Sequence, residues 1–464
     1  MTSGAKRLVG LPDRAAVAAA FLAAILVAVP ALAAPADDCL IGAYRSPAGE
    51  PLVLTRSSTA PDALAYVLLD GENGRFEPTG PGEMVAKATP GDVSSVPGWL
   101  RHQGCDGKLR LRFGGGDELV WNKIALTETQ TRFDSDGTEL AGLLLDPSPG
   151  ERTGIVAVMV HGSETTKSIG FTAYPYLLAA QGITAFVYDK RGAGDSQGTY
   201  TQSFPQLAGD AAAALREAKR MVGSGIRRAG FLGGSQGGWV APLAALTARA
   251  DFVAVMYGLI ESPLGEDAEQ VQDELRRKGY GTATLKKARE VTDATAAVVA
   301  SHFSSGFDQL SAIKRRYASE SWLSEIQGEY TGDLLRESSD ALRRDGRARY
   351  DTLNIVWNYD ARAVIEALPA PQLWVLAVQD TVAPSAHTAA EIRALQAKGR
   401  PIDLAQFPNT EHGIRLFVTS PEGERIRTRY APGFLKLLDD WMKGQVSEPY
   451  GTAIIERAAR HPAP

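Results

Sequence analysis

The stretch Gly233-Gly234-Ser235-Gln236-Gly237-Gly238 is the part of this sequence best suited to covalent chemistry. It follows an apolar strand-like run at 228–232 and opens a helical run at 239–245, the strand, sharp turn, helix setting of a G-x-S-x-G nucleophile elbow. A serine on such a turn sits on strained backbone, and side chains at the flanking positions would collide with the adjoining strand and helix, which selects glycine. A hydroxyl is a weak nucleophile until a base takes its proton, and the base needs an acid to hold it in the productive tautomer. Asp380, in Gln379-Asp380-Thr381-Val382-Ala383-Pro384, lies directly beyond strand-like residues 374–378; His412, in Asn409-Thr410-Glu411-His412-Gly413, lies beyond 402–407. Acyl transfer also needs donors aimed at the developing oxyanion. The main-chain N–H of Gln236, at a helix start, supplies one, and the turn His161-Gly162-Ser163-Glu164 supplies another through the N–H of Ser163.

These residues need a scaffold that ends several strands on one face. From about Thr127 the sequence opens with a hairpin, 131–133 and 139–145, around the Asp136-Gly137 turn. A βα alternation follows. Residues 155–160, 184–188, 228–232 and 252–257 read as buried parallel strands, with helical stretches at 172–181, 204–221 and 237–249 between them. Between 261 and 368 the strand signals give way to Lys, Arg, Glu and Ala at helical spacing, which predicts a helical insertion. Strand text resumes at 372–378 and 402–407, with a helix over 385–398 and a last amphipathic helix ending near Lys443. Ahead of all this, short apolar runs broken by Gly, Pro and Asp-Gly turns predict a small β-rich domain. The predicted boundaries are a signal peptide at 1–33, the β-rich domain at 34–126, a core in two parts at 127–260 and 369–445, the insertion at 261–368, and a C-terminal tail at 446–464.

The set Val160-His161-Gly162-Ser163, Tyr188-Asp189-Lys190-Arg191-Gly192-Ala193-Gly194-Asp195-Ser196, Gly233 to Gly238, Asp380 and His412 resembles the α/β-hydrolase superfamily over residues 127 to 445. Within it the chain is similar to bacterial members of the prolyl oligopeptidase, serine aminopeptidase and acyl-thioester hydrolase group. The resemblance implies an α/β-hydrolase fold, a mostly parallel central sheet flanked by helices, here with a helical lid insertion and the small N-terminal β-rich domain. It also implies the chain order nucleophile, acid, histidine. That order favours Ser235, Asp380 and His412. His161 precedes the nucleophile, His302 falls in the insertion, His387 lies inside a helix, and His102 and His461 lie outside the core. Glu411 and Asp360 are the rival acids, the first too close to the base and the second too early. Asp189 and Arg191 are read as structural partners near the catalytic face. Glu164 stands where many relatives carry Gly. The insertion occupies the place where this superfamily commonly puts a lid, whose Tyr280, Trp322, Tyr330 and Trp357 are candidates either for an acyl pocket or for the core of the lid itself.

The expected activity is hydrolysis of carboxylic esters through an acyl-serine intermediate. An aminopeptidase-like or acyl-thioester hydrolase would use the same residues, the former with Glu164, Glu261 or Glu266 receiving a substrate ammonium. A non-enzymatic binding protein is disfavoured by the intact triad. The expected partner is a small ester or short peptide; no metal or other cofactor is expected, since no ligand spacing or P-loop ending occurs. The 49 basic and 54 acidic residues nearly balance and form no stripe, which argues against nucleic acid. Lys6, Arg7 and Arg14, an apolar run from 15 to 29 and Ala31-Leu32-Ala33 have the layout of a cleaved secretory signal, cut near Ala33 or Ala34. An uncleaved anchor is disfavoured by a run shorter than the ~20 residues a spanning helix needs, and Asp37-Asp38 before Cys39 disfavours a lipid anchor. A periplasmic or secreted protein without stable membrane insertion is expected. The two cysteines, Cys39 and Cys105, both follow the signal, so a disulfide is expected in preference to two separate thiols.

Overall fold

The computed structural model describes residues 38–87 and 98–459. The expected signal peptide lies outside them. No helix among the described residues is long and apolar enough to cross a membrane.

The first strands are β1 (Gly42–Arg45), β2 (Pro51–Arg56), β3 (Leu64–Leu68), β4 (Asn73–Gly80), β5 (Glu83–Lys87), β6 (Gly98–His102), β7 (Lys108–Phe113) and β8 (Leu119–Lys123). Each pairs antiparallel with the next, and β8 returns to β1, closing a barrel. The period-two pattern dictates which side is inside: along β7, Leu109 and Leu111 are buried while Lys108, Arg110 and Arg112 alternate outward. The interior is filled by Leu52, Leu54, Tyr66, Phe76, Leu100 and Trp121 among others. Cys39, ahead of β1, is bonded to Cys105 in the β6–β7 turn, with Cα atoms 5.7 Å apart. Closing a separation of 66 residues contributes about 4 kcal/mol on the chain-entropy account.

The second body is built on nine strands. In chain order come β9 (Leu126–Ser135), β10 (Thr138–Pro147), β11 (Ile155–Val160), α1 (Tyr174–Ala180), β12 (Thr184–Tyr188), α2 (Phe204–Val222), β13 (Arg228–Gly234), α3 (Gly237–Ala248) and β14 (Phe252–Met256). Six helices follow: α4 (Pro263–Arg277), α5 (Thr282–Ala300), α6 (Phe307–Arg316), α7 (Thr331–Arg336), α8 (Ser339–Tyr350) and α9 (Ala361–Ala367). The sheet then resumes with β15 (Gln372–Ala377), α10 (Ala386–Ala397) and β16 (Ile402–Phe407). It is followed by β17 (Thr410–Glu411), β18 (Arg415–Thr419), β19 (Arg425–Tyr430), α11 (Phe434–Lys443) and β20 (Ile454–Glu456). The sheet order is β20-β16-β15-β14-β13-β11-β12-β10-β9. β12, β11, β13, β14, β15 and β16 are parallel. Buried on both faces, they read as continuous apolar runs, all six residues of β11 and of β15 being buried. α2, α3, α9 and α10 cover one face, α1 and α11 the other. Ala43, Val53 and Val67 of the barrel join the α1 layer, so the barrel is packed against the body.

One expectation changes. The tail expected at 446–464 is partly sheet: Ile454–Glu456 pairs antiparallel with Leu404–Gln406. It is three residues long, too short for periodicity to announce. Of the two readings open for the insertion's aromatics, that of a lid core holds: Trp322, Tyr330 and Trp357 are buried in the insertion's own apolar core, against which Tyr280 packs.

Asp189 and Arg191 brace the loop after β12. Asp189, fully buried, accepts the amides of Ser168, Ile169 and Asp195 at 2.8, 3.0 and 3.0 Å. Arg191 makes a two-pronged bond to Asp210 of α2, at 2.6 and 2.7 Å, with Asp210 fully buried. Removing one partner strands a charge in the interior, so Asp210→Ala is expected to cost about 3 to 5 kcal/mol, read as a lower urea midpoint. The double change Arg191→Met with Asp210→Leu is expected to recover much of that loss.

Candidate active site

Ser235 sits where β13 turns into α3, with φ at 53°, the left-handed conformation that an L-residue adopts only under constraint. The turn is held by Ser235 N–H donating to Met256 O at 3.0 Å and Gly238 N–H donating to Ser235 O at 2.7 Å. Its tightness explains the flanking glycines. A Cβ on Gly233 would lie 2.5 Å from Gly237 O, and one on Gly237 would lie 2.6 Å from Val160 O.

Asp380 follows β15 and His412 follows β17, so the parallel register brings both to the same edge as Ser235. His412 Nε2 lies 3.1 Å from Ser235 Oγ, and His412 Nδ1 lies 2.9 Å from Asp380 Oδ2. The carboxylate can only accept, so Nδ1 carries its proton and Nε2 is left to accept from the serine hydroxyl. Asp380 is 3% exposed, and its Oδ1 accepts the amides of Val382 and Ala383 at 2.9 and 2.8 Å. The edge of the Tyr257 ring packs against the imidazole at a centroid distance of 4.9 Å.

The rival acids have other work. Asp360 caps α9 by accepting the Ala363 amide. Glu411 accepts Arg425 at 2.5 Å and both the amide and hydroxyl of Thr381, tying the base loop to the acid loop. Sequence reading missed the three-stranded sheet β17-β18-β19 that carries the base loop. Asn73 of the barrel accepts Arg415 Nη1 at 2.9 Å and the Tyr430 amide at 3.1 Å. The barrel therefore buttresses the segment that presents His412.

The turn after β11 lies against Ser235: a Cβ on Gly162 would be 3.2 Å from Ser235 Cβ. Burial holds the His161 imidazole below its ordinary pKa, hence neutral, and its Nε2 donates to Tyr188 O at 2.6 Å. Within the described residues neither the Ser163 N–H nor the Gln236 N–H donates a hydrogen bond. Glu164 turns back over the loop, its Oε2 2.7 Å from the position a Gly162 Cβ would occupy.

The insertion reaches the acid loop through Gln270 of α4, whose Nε2 donates to Val382 O at 2.5 Å and Glu329 Oε1 at 2.7 Å. The carboxyl of Glu266, one turn earlier, has no hydrogen-bond or ion-pair partner among the described residues, its main-chain N–H alone donating to Ser262 O. Burial, with Glu329, Asp267, Asp380 and Glu261 around it, pushes its carboxyl well above the usual carboxylate range. The folded state therefore binds a proton that the unfolded chain releases above its ordinary value of 4.5, so stability falls as pH rises from there toward neutrality. Glu266→Gln is expected to raise the thermal midpoint at pH 7 and to leave it unchanged below pH ~4, where both forms are neutral. No group of three or more His, Cys, Asp or Glu among the described residues is placed to hold a metal ion.

A sequence profile described as Alpha/beta hydrolase family matches residues 157–424. The chain belongs to the alpha/beta hydrolase family. No curated protein matches it. Among solved structures, Pyrococcus horikoshii acylaminoacyl peptidase is similar at 15% identity and a TM-score of 0.39, over 76% of this chain and 50% of that one. Est1E of Butyrivibrio proteoclasticus with ferulic acid bound is similar at 16% identity and 0.37, over 68% and 96%. Puromycin hydrolase is similar at 14% and 0.39, over 76% and 49%. This alpha/beta hydrolase thus spans about half the length of the acylaminoacyl peptidase and of the puromycin hydrolase.

Proposed function

We propose that this alpha/beta hydrolase is an exported serine esterase that works through an acyl-Ser235 intermediate. The observation that carries the reading is the continuous chain Ser235 Oγ, His412 and Asp380, at 3.1 and 2.9 Å, beside two main-chain N–H groups that have no partner among the described residues. His412 removes the serine proton as Oγ attacks the ester carbonyl. The N–H groups of Ser163 and Gln236 receive the oxyanion. Collapse expels the alcohol, which takes the proton from His412, and water then repeats the sequence to release the acid and free Ser235. Export rests on the sequence of residues 1–33 alone.

The ester is preferred to a peptide because, of the carboxyl groups offered for a substrate ammonium, Glu261 accepts the Thr388 hydroxyl and the Ile260 amide and Glu266 sits where its neutral form is favoured. A fixed ammonium site needs the opposite. One observation favours the second reading, cleavage of amine-bearing substrates: Glu266 has the carboxyl groups of Glu329, Asp267, Asp380 and Glu261 near enough to act on it, and a bound cation would relieve their mutual repulsion.

The test sets a short-chain p-nitrophenyl ester against an aminoacyl p-nitroanilide on the purified mature protein, with a fluorophosphonate label located by peptide mass. Dominant ester turnover, with the label on Ser235, supports the reading; dominant anilide cleavage that Glu266→Gln abolishes moves it to the amine-bearing class. A label elsewhere removes the acyl-Ser235 mechanism.

A further inference from the structure

Lys190 follows β12 and is only 3% exposed. Its neighbour Arg191 is committed to Asp210, but Lys190 has no carboxylate within ion-pairing distance among the described residues. Its Nζ instead donates to Gly162 O at 2.6 Å and lies 5.1 Å from the centroid of the Tyr200 ring. The Tyr200 hydroxyl in turn donates to Ser163 O at 2.6 Å. Two successive carbonyls of the turn against Ser235 are thus held from one side.

The consequence follows from the peptide unit. Gly162 C=O and Ser163 N–H belong to the same amide plane, and in a trans peptide they point in opposite directions. An ammonium gripping the oxygen fixes the plane and turns the hydrogen the other way. It also polarises the amide, making that N–H a stronger donor. We propose that Lys190, through Gly162 O, is a positioning residue that orients and polarises the Ser163 N–H toward the oxyanion formed at Ser235. The proposal rests on the acyl-serine reading above and goes beyond it by naming what builds its oxyanion site.

Geometry alone carries this, and electrostatics supplies the means of testing it. Burial pulls the Lys190 ammonium down to about 8, Glu164 opposing the shift. The titratable groups around it are Glu164 and His161 from the turn after β11, Tyr200 from the segment before α2, and Asp189 on its own loop. Asp189 is spent on three amides and His161 is neutral, which leaves Lys190 as the group whose charge changes near pH 8. Below that pH the ammonium holds the peptide; above it the polarisation fades and kcat falls.

The experiment measures kcat and KM against pH for wild type, Lys190→Met and Lys190→Arg on the same p-nitrophenyl ester, with the affinity of a boronic acid, a mimic of the tetrahedral adduct. Lys190→Met is expected to lower kcat by about 10- to 100-fold, a part of what losing an oxyanion donor costs. Its KM should stay within about twofold, and its boronate affinity should fall with kcat. Lys190→Arg keeps a charge that does not titrate, so it is expected to retain more of kcat and to lose the alkaline limb near pH 8. An unchanged kcat in Lys190→Met, a change in KM alone, or an alkaline limb surviving in Lys190→Arg overturns the proposal; the last outcome decides even if the Met variant does not fold. Ser235→Ala run alongside separates the failures. Activity surviving there removes the acyl-serine reading as well, whereas activity lost there and untouched in Lys190→Met removes only the role given to Lys190.

Discussion

Ser235→Ala is expected to lower kcat for ester hydrolysis by about 10⁶-fold, the scale on which loss of a triad serine acts. Without Oγ there is no acyl-enzyme, and His412 Nε2, now 3.1 Å from an absent partner, has no proton to take. On the proposed mechanism, what remains is the electrostatic stabilisation offered by the Ser163 and Gln236 amides, which is expected to leave a residual rate above that in water. The same variant is a clean control for folding. Alanine keeps the Cβ at φ 53°, so the strain of the elbow is retained and the thermal midpoint should not move. Hydrolysis of the p-nitrophenyl ester and a melting curve, taken on one preparation, check both halves. Undiminished turnover at an unchanged midpoint would assign the nucleophile to another group.

The elbow was legible because its demands are local: two glycines, a serine and the switch from strand to helix lie within ten residues. Asp380 and His412 were legible at one remove, since parallel strands end on one face and the two residues lie just beyond the ends of β15 and β16, His412 after the short β17. Most other features depend on contacts far apart in sequence. Closure of the barrel needs Tyr44 and Arg45 of β1 to meet Asn122 and Lys123 of β8, a register that no run of residues encodes. The β18–β19 hairpin alternates poorly, with Arg415, Arg425, Arg427 and Arg429 along it, and it stands because Asn73 and Gly71 of the barrel hold its edge. The lid aromatics suited a pocket or a core equally by type, and the contacts decide: five helices, α4 to α8, stand apart from the main core and need an apolar core of their own, which Trp322 and Tyr330 help supply. Lys190 lies within the loop text 188–196, yet nothing in its type or spacing shows that its ammonium ends on Gly162 O. That contact joins two βα loops 28 residues apart.

Asp380→Asn is the sharper test of the proton path, with an expected loss in kcat of about 10⁴-fold, the size measured when an acid of this kind is made an amide. The reason lies in what surrounds the two oxygens. Oδ1 accepts from the amides of Val382 and Ala383, both donors fixed by the backbone. In the asparagine variant the carbonyl oxygen must occupy that position, because an NH₂ there would face two N–H groups. The NH₂ is therefore placed opposite His412 Nδ1, where the carboxylate stood at 2.9 Å. Nδ1 must now accept, the ring proton moves to Nε2, and the nitrogen facing Ser235 becomes a donor unable to take the serine proton. Substrate contacts are untouched, so KM is expected to hold within about twofold while kcat carries the loss. Asp380→Ala, which leaves the imidazole free to choose its tautomer, is expected to retain more activity than Asp380→Asn. Measuring kcat for the two variants side by side decides the matter: equal losses would mean that Asp380 acts through its charge alone, and a small loss in both would return the orienting role to another carboxylate, with Glu411 the nearest in sequence.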